Sequence, residues 1–99
     1  MSIRYEFEAE VWLYQGKGAW HFVTTPAEVT AGLNAIRGPK SRGWGSLRVA
    51  ATIGATTWRT SLFPDSKRAG FLLPIKAEVR AREGLGDGDQ VAVSVEVLL

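Results

Sequence analysis

The chain of 99 residues contains no cysteine, one histidine and one methionine. Without cysteine there is no disulfide, no thiolate metal site and no thiol nucleophile. The lone histidine, His21, sits between Trp20 and Phe22, and the scattered Asp65, Asp87 and Asp89 supply no ligand cluster around it. A Ser–His–Asp set can be assembled on paper from Ser61, His21 and Asp65, but nothing in the spacing points to one. We read His21 as a strand surface or packing residue and expect no catalytic residue, metal or cofactor. Long apolar runs are missing as well. None approaches the roughly 20 residues of a membrane span, and Met1-Ser2-Ile3-Arg4-Tyr5-Glu6 alternates at once instead of forming a signal core. The expectation is a cytoplasmic protein outside the membrane.

Two glycine-bearing stretches fail as nucleotide loops. In Gly38-Pro39-Lys40-Ser41-Arg42-Gly43 the second glycine is followed by Trp44 and Gly45, where a phosphate loop needs lysine and then serine or threonine. Gly84, Gly86 and Gly88 alternate like a dinucleotide fingerprint, but they follow a helical pattern and precede a strand pattern, the reverse of the required order. They read as turn geometry, with Asp89 holding the turn through backbone amides.

What is present is core material. Hydrophobic residues make up 45% of the chain and charged residues only 22%, with four tryptophans, two tyrosines and four phenylalanines. That composition suits one compact domain over residues 1–99 rather than a disordered tail. Ile3, Tyr5, Phe7, Ala9, Val11 and Leu13 alternate with Arg4, Glu6, Glu8, Glu10 and Trp12, the period of a half-buried strand. Further strands are expected at Trp20 to Thr24, Leu47 to Ile53, Thr56 to Leu62, Phe71 to Pro74 and Gln90 to Val97. Turns fall at Gln15-Gly16-Lys17-Gly18, Gly54-Ala55 and the exposed Phe63-Pro64-Asp65-Ser66-Lys67-Arg68. Thr25-Pro26-Ala27-Glu28 has the form of a helix start, with Thr25 as N-cap and Glu28 closing a capping box. Val29, Leu33 and Ile36 then share one helical face up to Gly38-Pro39, and a second short helix is expected at about Ile75 to Glu83. Trp20 and Trp58 are expected in the core. Six strands and two helices, without the strand-helix-strand rhythm of a parallel sheet, predict a small closed or nearly closed barrel.

A short internal echo suggests how that barrel is assembled. Ala27-Glu28-Val29-Thr30-Ala31 recurs fifty positions on as Ala77-Glu78-Val79-Arg80-Ala81, each copy preceded by an apolar strand and a proline, Pro26 or Pro74. Two strand-proline-helix-strand pieces, neither able to cover its own apolar face, would enclose one interior.

Charge is uneven although the formal net is +2. Residues 35–82 carry ten Lys and Arg against Asp65 and Glu78, while both flanking stretches are acidic. Arg37, Lys40 and Arg42 lie in and around one loop, Lys76 and Arg80 are four apart on one helix face, and alternation aims Arg59 away from Trp58. With Trp44 available for stacking, Arg37, Lys40, Arg42, Trp44, Arg59, Lys76 and Arg80 form the candidate set for an anionic or aromatic ligand.

Six short strings of residues carry a resemblance. Gly43-Trp44-Gly45-Ser46-Leu47-Arg48-Val49, Thr52-Ile53-Gly54 and Thr60-Ser61-Leu62-Phe63-Pro64-Asp65 are followed by Leu73-Pro74-Ile75-Lys76, Val79-Arg80 and Gly88-Asp89. In that order they resemble a bacterial family of uncharacterised proteins, domain-of-unknown-function family 1905, from Tyr5 through Val97. The resemblance implies a mainly β fold, a six-stranded double-split β-barrel with two short helices, and implies no activity. Leu73-Pro74, Val79-Arg80, Gly88-Asp89 and Val91 also look like the swapped-hairpin DNA-binding domains of bacterial transition-state regulators and antitoxins, whose double-split barrels are built from two chains. One chain supplying both halves gives internal pseudo-two-fold symmetry and a monomer or weak dimer. The function expected is a non-catalytic binding module for a small anionic or aromatic ligand. The alternative, borrowed from the swapped-hairpin proteins by fold analogy, is nucleic-acid binding, disfavoured by the acidic flanks.

Overall fold

The computed structural model describes residues 3–16, 18–37 and 45–98. Its elements are β1 (Ile3–Glu10), β2 (Trp12–Leu13), β3 (His21–Thr24), α1 (Ala27–Arg37), β4 (Leu47–Ile53), β5 (Thr56–Asp65), β6 (Gly70–Pro74), α2 (Ala77–Glu83) and β7 (Gln90–Val97). The strands form one sheet in the order β1-β7-β4-β5-β6-β3-β2, with every pairing antiparallel. The sheet curls into a half-barrel. Among the described residues no helix is long and apolar enough to cross a membrane.

The expected first strand is in fact two, which makes seven strands where six are read from the pattern. At Val11 the chain leaves β7 and takes up β3. The Val11 amide donates to the Asp89 carbonyl at 2.8 Å and its own carbonyl accepts from the Gly88 amide at 2.7 Å. Its side chain is fully buried, so the alternation of β1 and that of β2 are separated by one inward residue. β5 is also longer than expected. Phe63, Pro64 and Asp65 pair with Leu72, Phe71 and Gly70 instead of looping out, and the turn is confined to Ser66–Ala69. The Asp65 carboxylate holds that turn by accepting from the Lys67 amide at 3.1 Å.

Alternation along the strands sets the interior. Val91, Val93, Val95 and Val97 of β7 face inward with Val49, Ala51 and Ile53 of β4, Trp58 and Leu62 of β5, and Phe71 and Leu73 of β6. Helix α1 covers them with Val29 and Leu33, and α2 with Val79. Trp58 is therefore core, as expected. Trp20 is not: it is 55% exposed, because the chain enters β3 only at His21 and leaves Trp20 on the rim. The β4–β5 hairpin turns through Gly54 at φ +58, a conformation that favours glycine. α2 is anchored there, with Thr56 Oγ1 donating to Glu83 Oε2 at 2.6 Å.

Thr25 does not cap α1. The first helical bond runs from the Thr30 amide to the Pro26 carbonyl, and the Thr25 hydroxyl turns to β6, accepting from the Phe71 amide at 3.0 Å and meeting Thr30 Oγ1 at 2.7 Å. Thr30 in turn donates to Pro26. Thr25 is the one buried polar residue among those described, and its hydroxyl satisfies a strand amide that has no sheet partner on that side. α2 begins at Ala77 without a side-chain cap and ends in left-handed Gly84, whose amide reaches the Arg80 carbonyl.

Two outcomes test this account. Thr25→Val keeps the shape but orphans the Phe71 amide, and is expected to cost about 1–3 kcal/mol in denaturant unfolding while Thr25→Ser costs less. Val93→Asp places an unpaired charge at a site only 2% exposed, and circular dichroism is expected to show no cooperative unfolding transition.

Candidate functional site

The outer face of the sheet divides into two unlike halves. On the β1-β7-β4 side Arg4, Glu6, Glu8 and Glu10 stand opposite Glu96, Ser94, Ala92 and Gln90, a charged and hydrated surface. On the β2-β3-β6 side and at the far end of β5 the outward positions are mostly apolar. Register puts Trp12 beside Phe22 and Phe22 beside Pro74, while Thr24 flanks Leu72 and Leu72 flanks Phe63. The β2–β3 hairpin adds two more rings, because the Tyr14 amide bonds the Trp20 carbonyl at 2.8 Å and so draws Tyr14 and Trp20 together at the tip.

The rings, with Leu72 and Pro74, line a groove of about 620 Å³ that Asp65, Lys67 and Arg68 also line. Tyr14, Trp20 and Phe63 are 47%, 55% and 41% exposed. Phe22 is the hub. Its ring lies 5.2 Å from Trp12, nearly parallel to Trp20 at 6.3 Å (9° between planes), and edge-on to Tyr14 at 6.4 Å. Trp12 is fixed from both sides. Its indole N–H donates to Thr24 Oγ1 at 3.0 Å, and the Arg68 guanidinium lies 3.9 Å over its ring. Arg68 also bonds Asp65 at 2.8 Å, so one arginine is shared by a π-face and a carboxylate. The backbone around it is bent by Ala69 at φ +51, a left-handed non-glycine.

A smaller cleft of about 230 Å³ opens beside the groove. Trp20 and Pro74 line both; His21, Lys76 and Arg80 complete the cleft. The His21 main chain accepts from the Ile75 amide at 2.8 Å, which locks the start of β3 to the end of β6. His21 Nδ1 donates to the Ala19 carbonyl at 3.2 Å, leaving Nε2 unengaged by that contact. Arg80 Nε donates to the Ile75 carbonyl at 3.1 Å, which holds the guanidinium against the start of α2.

The seven residues read from sequence are thus dispersed. Lys76 and Arg80 meet at the cleft, as their four-residue spacing implies. Arg37 ends α1 with its guanidinium 5.7 Å above the buried Phe71 ring, its Nε buried without a hydrogen-bond partner among the described residues. Arg59 is exposed on the outer face of β5, beside Ala50 of β4. Lys40, Arg42 and Trp44 lie outside the described residues. The candidate set read from sequence lacks Trp12, Tyr14, Phe22 and Phe63, while Lys67 and Arg68 are visible in the sequence as a second basic loop but stand outside that set. The signal that finds the rings is same-face spacing: Trp12 and Tyr14 are two apart, as are Trp20 and Phe22, and Trp12 already falls on the hydrated face of the first strand's alternation. His21 is half-buried on the rim, and no group of three or more metal-ligating side chains gathers among the described residues.

A family model described as a domain of unknown function (DUF1905) matches residues 7–95. No curated protein matches the chain.

Arg68→Ala removes both the stacking on Trp12 and the bond to Asp65 from a partly exposed turn. It is expected to cost about 0.5–1 kcal/mol and to change tryptophan emission in the native state. Unaltered emission would show that Arg68 does not sit on the indole in solution.

Proposed function

The chain belongs to the family described as a domain of unknown function (DUF1905), and from that starting point we propose that it is a non-catalytic binding module for a small planar, anionic ligand held in the outer aromatic groove. The observation that carries this reading is that the half-exposed rings of Tyr14, Trp20 and Phe63 line one groove with Phe22, and that Lys67 and Arg68 line it too. Aromatic rings left in water on a sheet face gain from a flat partner both by area burial and by about 0.5–1.5 kcal/mol of ring–ring geometry per pair. The adjoining cations favour a negative substituent on that partner. Asp65, the one carboxylate of the groove, is already bonded to the Lys67 amide and to Arg68, which suits a structural role rather than proton transfer. Lys76 and Arg80 extend the site from the neighbouring cleft. Arg37 and Arg59 stand apart from it. The module works in the cytoplasm as a monomer or weak dimer.

We propose further that the fold is a double-split barrel of two equivalent pieces, with β1 and β2 counted as one bent strand to give six. The support is a matching of pairings. β1/β2, β3, α1 and β4 correspond to β5, β6, α2 and β7; β1 with β7 then matches β5 with β4, and β2 with β3 matches β5 with β6. α1 and α2 start on the echoed Ala27 and Ala77. A rotation of about half a turn that superposes the two pieces in experimental coordinates is the expected result.

The functional reading is tested with 1-anilinonaphthalene-8-sulfonate, an aromatic anion with a flat naphthalene ring, added to the folded protein. One saturable site is expected, weakened about tenfold, or roughly 1.4 kcal/mol, by Trp20→Ala, with the melting temperature unchanged because Trp20 is mostly exposed. Absence of saturable binding, or binding indifferent to Trp20, would refute the groove. Nucleic-acid binding predicts instead retention on heparin that falls steeply with salt.

A further inference from the structure

The groove and the cleft share a wall, and the two sides of that wall differ in chemistry. Trp20 and Pro74 line both spaces. On the groove side stand aromatic rings; on the cleft side stand Lys76, Arg80 and His21, with no carboxylate lining it among the described residues. The Arg80 guanidinium is fixed by its bond to the Ile75 carbonyl, and the nearest acid to Lys76 is Glu78, 3.9 Å away across an exposed pair. Such a pair is worth little in water and yields readily to a doubly charged anion. The planar fork of arginine next to a point-charged lysine suits an oxygen-rich dianion better than a single carboxylate, since a phosphate monoester brings more charge and three acceptor oxygens.

Resting on the binding-module reading above, we infer that the ligand has two parts and spans both spaces: an aromatic ring stacked against Trp20 in the groove and a phosphoryl group at Lys76 and Arg80 in the cleft. The chemical class is a nucleoside monophosphate, whose ring and phosphate are joined by a sugar that would cross the Trp20–Pro74 ridge. His21 adds an imidazole to the cleft lining, its Nδ1 held by the Ala19 carbonyl. The same base-and-phosphate chemistry is offered by a terminal residue of a single strand, so the source is separated in the test.

Tryptophan quenching is titrated on the folded protein with adenosine 5′-monophosphate, adenosine, inorganic phosphate and a ten-residue oligoadenylate. The expected order is the monophosphate at least about tenfold tighter than adenosine, with inorganic phosphate weakest. Lys76→Gln is expected to bring the monophosphate down toward adenosine while leaving adenosine unchanged, and Arg80→Gln to do the same. If Arg80→Gln fails to fold through loss of the Ile75 bond, Lys76→Gln alone decides. Trp20→Ala is expected to weaken adenosine and the monophosphate alike. Equal affinity for adenosine and its monophosphate in the unaltered protein overturns the two-part ligand and leaves the aromatic groove standing. Failure of every ring compound, with anilinonaphthalene sulfonate also unbound, overturns both. An oligoadenylate that binds at least about tenfold tighter per molecule than the monophosphate assigns the site to a strand and overturns the mononucleotide.

Discussion

The rest of the structure depends on one change of partner. At Val11 a continuous stretch of backbone stops pairing with β7 and begins pairing with β3, and both of its own polar groups are satisfied at the step by Asp89 and Gly88. Because β1 and β2 stand at opposite ends of the strand order, one covalent segment joins the two ends. The sheet therefore has to curl. The turn that receives Val11 is built for the task. Gly88 takes φ +93, Asp89 Oδ2 accepts from the Gly86 amide at 2.8 Å, and Asp87 Oδ1 accepts from the Leu13 amide at 3.1 Å. The acidic glycine-rich stretch is thus a bracket that holds the bend, and its aspartates are engaged with backbone donors.

The same bend separates two outer surfaces with opposite relations to water. Before Val11 the outward residues of the strand are Arg4, Glu6, Glu8 and Glu10; after it they are Trp12 and Tyr14. β3, β6 and the far end of β5 continue the second pattern with Phe22, Leu72, Pro74 and Phe63. The β2–β3 hairpin and the Ser66–Ala69 turn, which carries the cations, wall in this apolar half and make it a groove. Arg68 covers part of the Trp12 ring, reducing the apolar area open to solvent, while Trp20 at the rim remains uncovered. Local fold and candidate site have a common origin: the residue order around one buried valine.

Much of the fold is legible in the residues themselves. Period-two runs mark β1, β4 and β7, the echoed Ala-Glu-Val marks both helix starts, and the alternating valines of β7 mark the interior. What escapes is whatever depends on the partner across the sheet. The change of partner at Val11 leaves no trace in a pattern that stays apolar at every second position from Ile3 to Leu13. Pro64-Asp65-Ser66 has turn chemistry, yet pairing with Gly70 and Phe71 carries β5 through the first two of those residues. Thr25 has cap chemistry, yet a buried strand amide competes for its hydroxyl and wins. Lys76 and Arg80 are recognisable because helical spacing alone places them side by side. The aromatic groove is not, since Trp12, Phe22, Phe63 and Leu72 come from separate strands and only register assembles them, and a tryptophan count is as consistent with a core as with a rim.

The position of β7 has a further bearing on how the molecule is made. It lies between β1 and β4 and is hydrogen-bonded to both, although both precede it in the chain by dozens of residues. During translation β1 emerges with no strand beside it and waits for β7, whereas β4 gains β5 on one edge and waits for β7 only on the other. The low-separation hairpins, β4 with β5 and β5 with β6, are free to zip first, whereas pairing of β1 carries the largest loop-closure cost. The glutamates along β1 then have a second use. Their charge on the outward face disfavours edge-to-edge pairing with another chain while β1 lacks its mate.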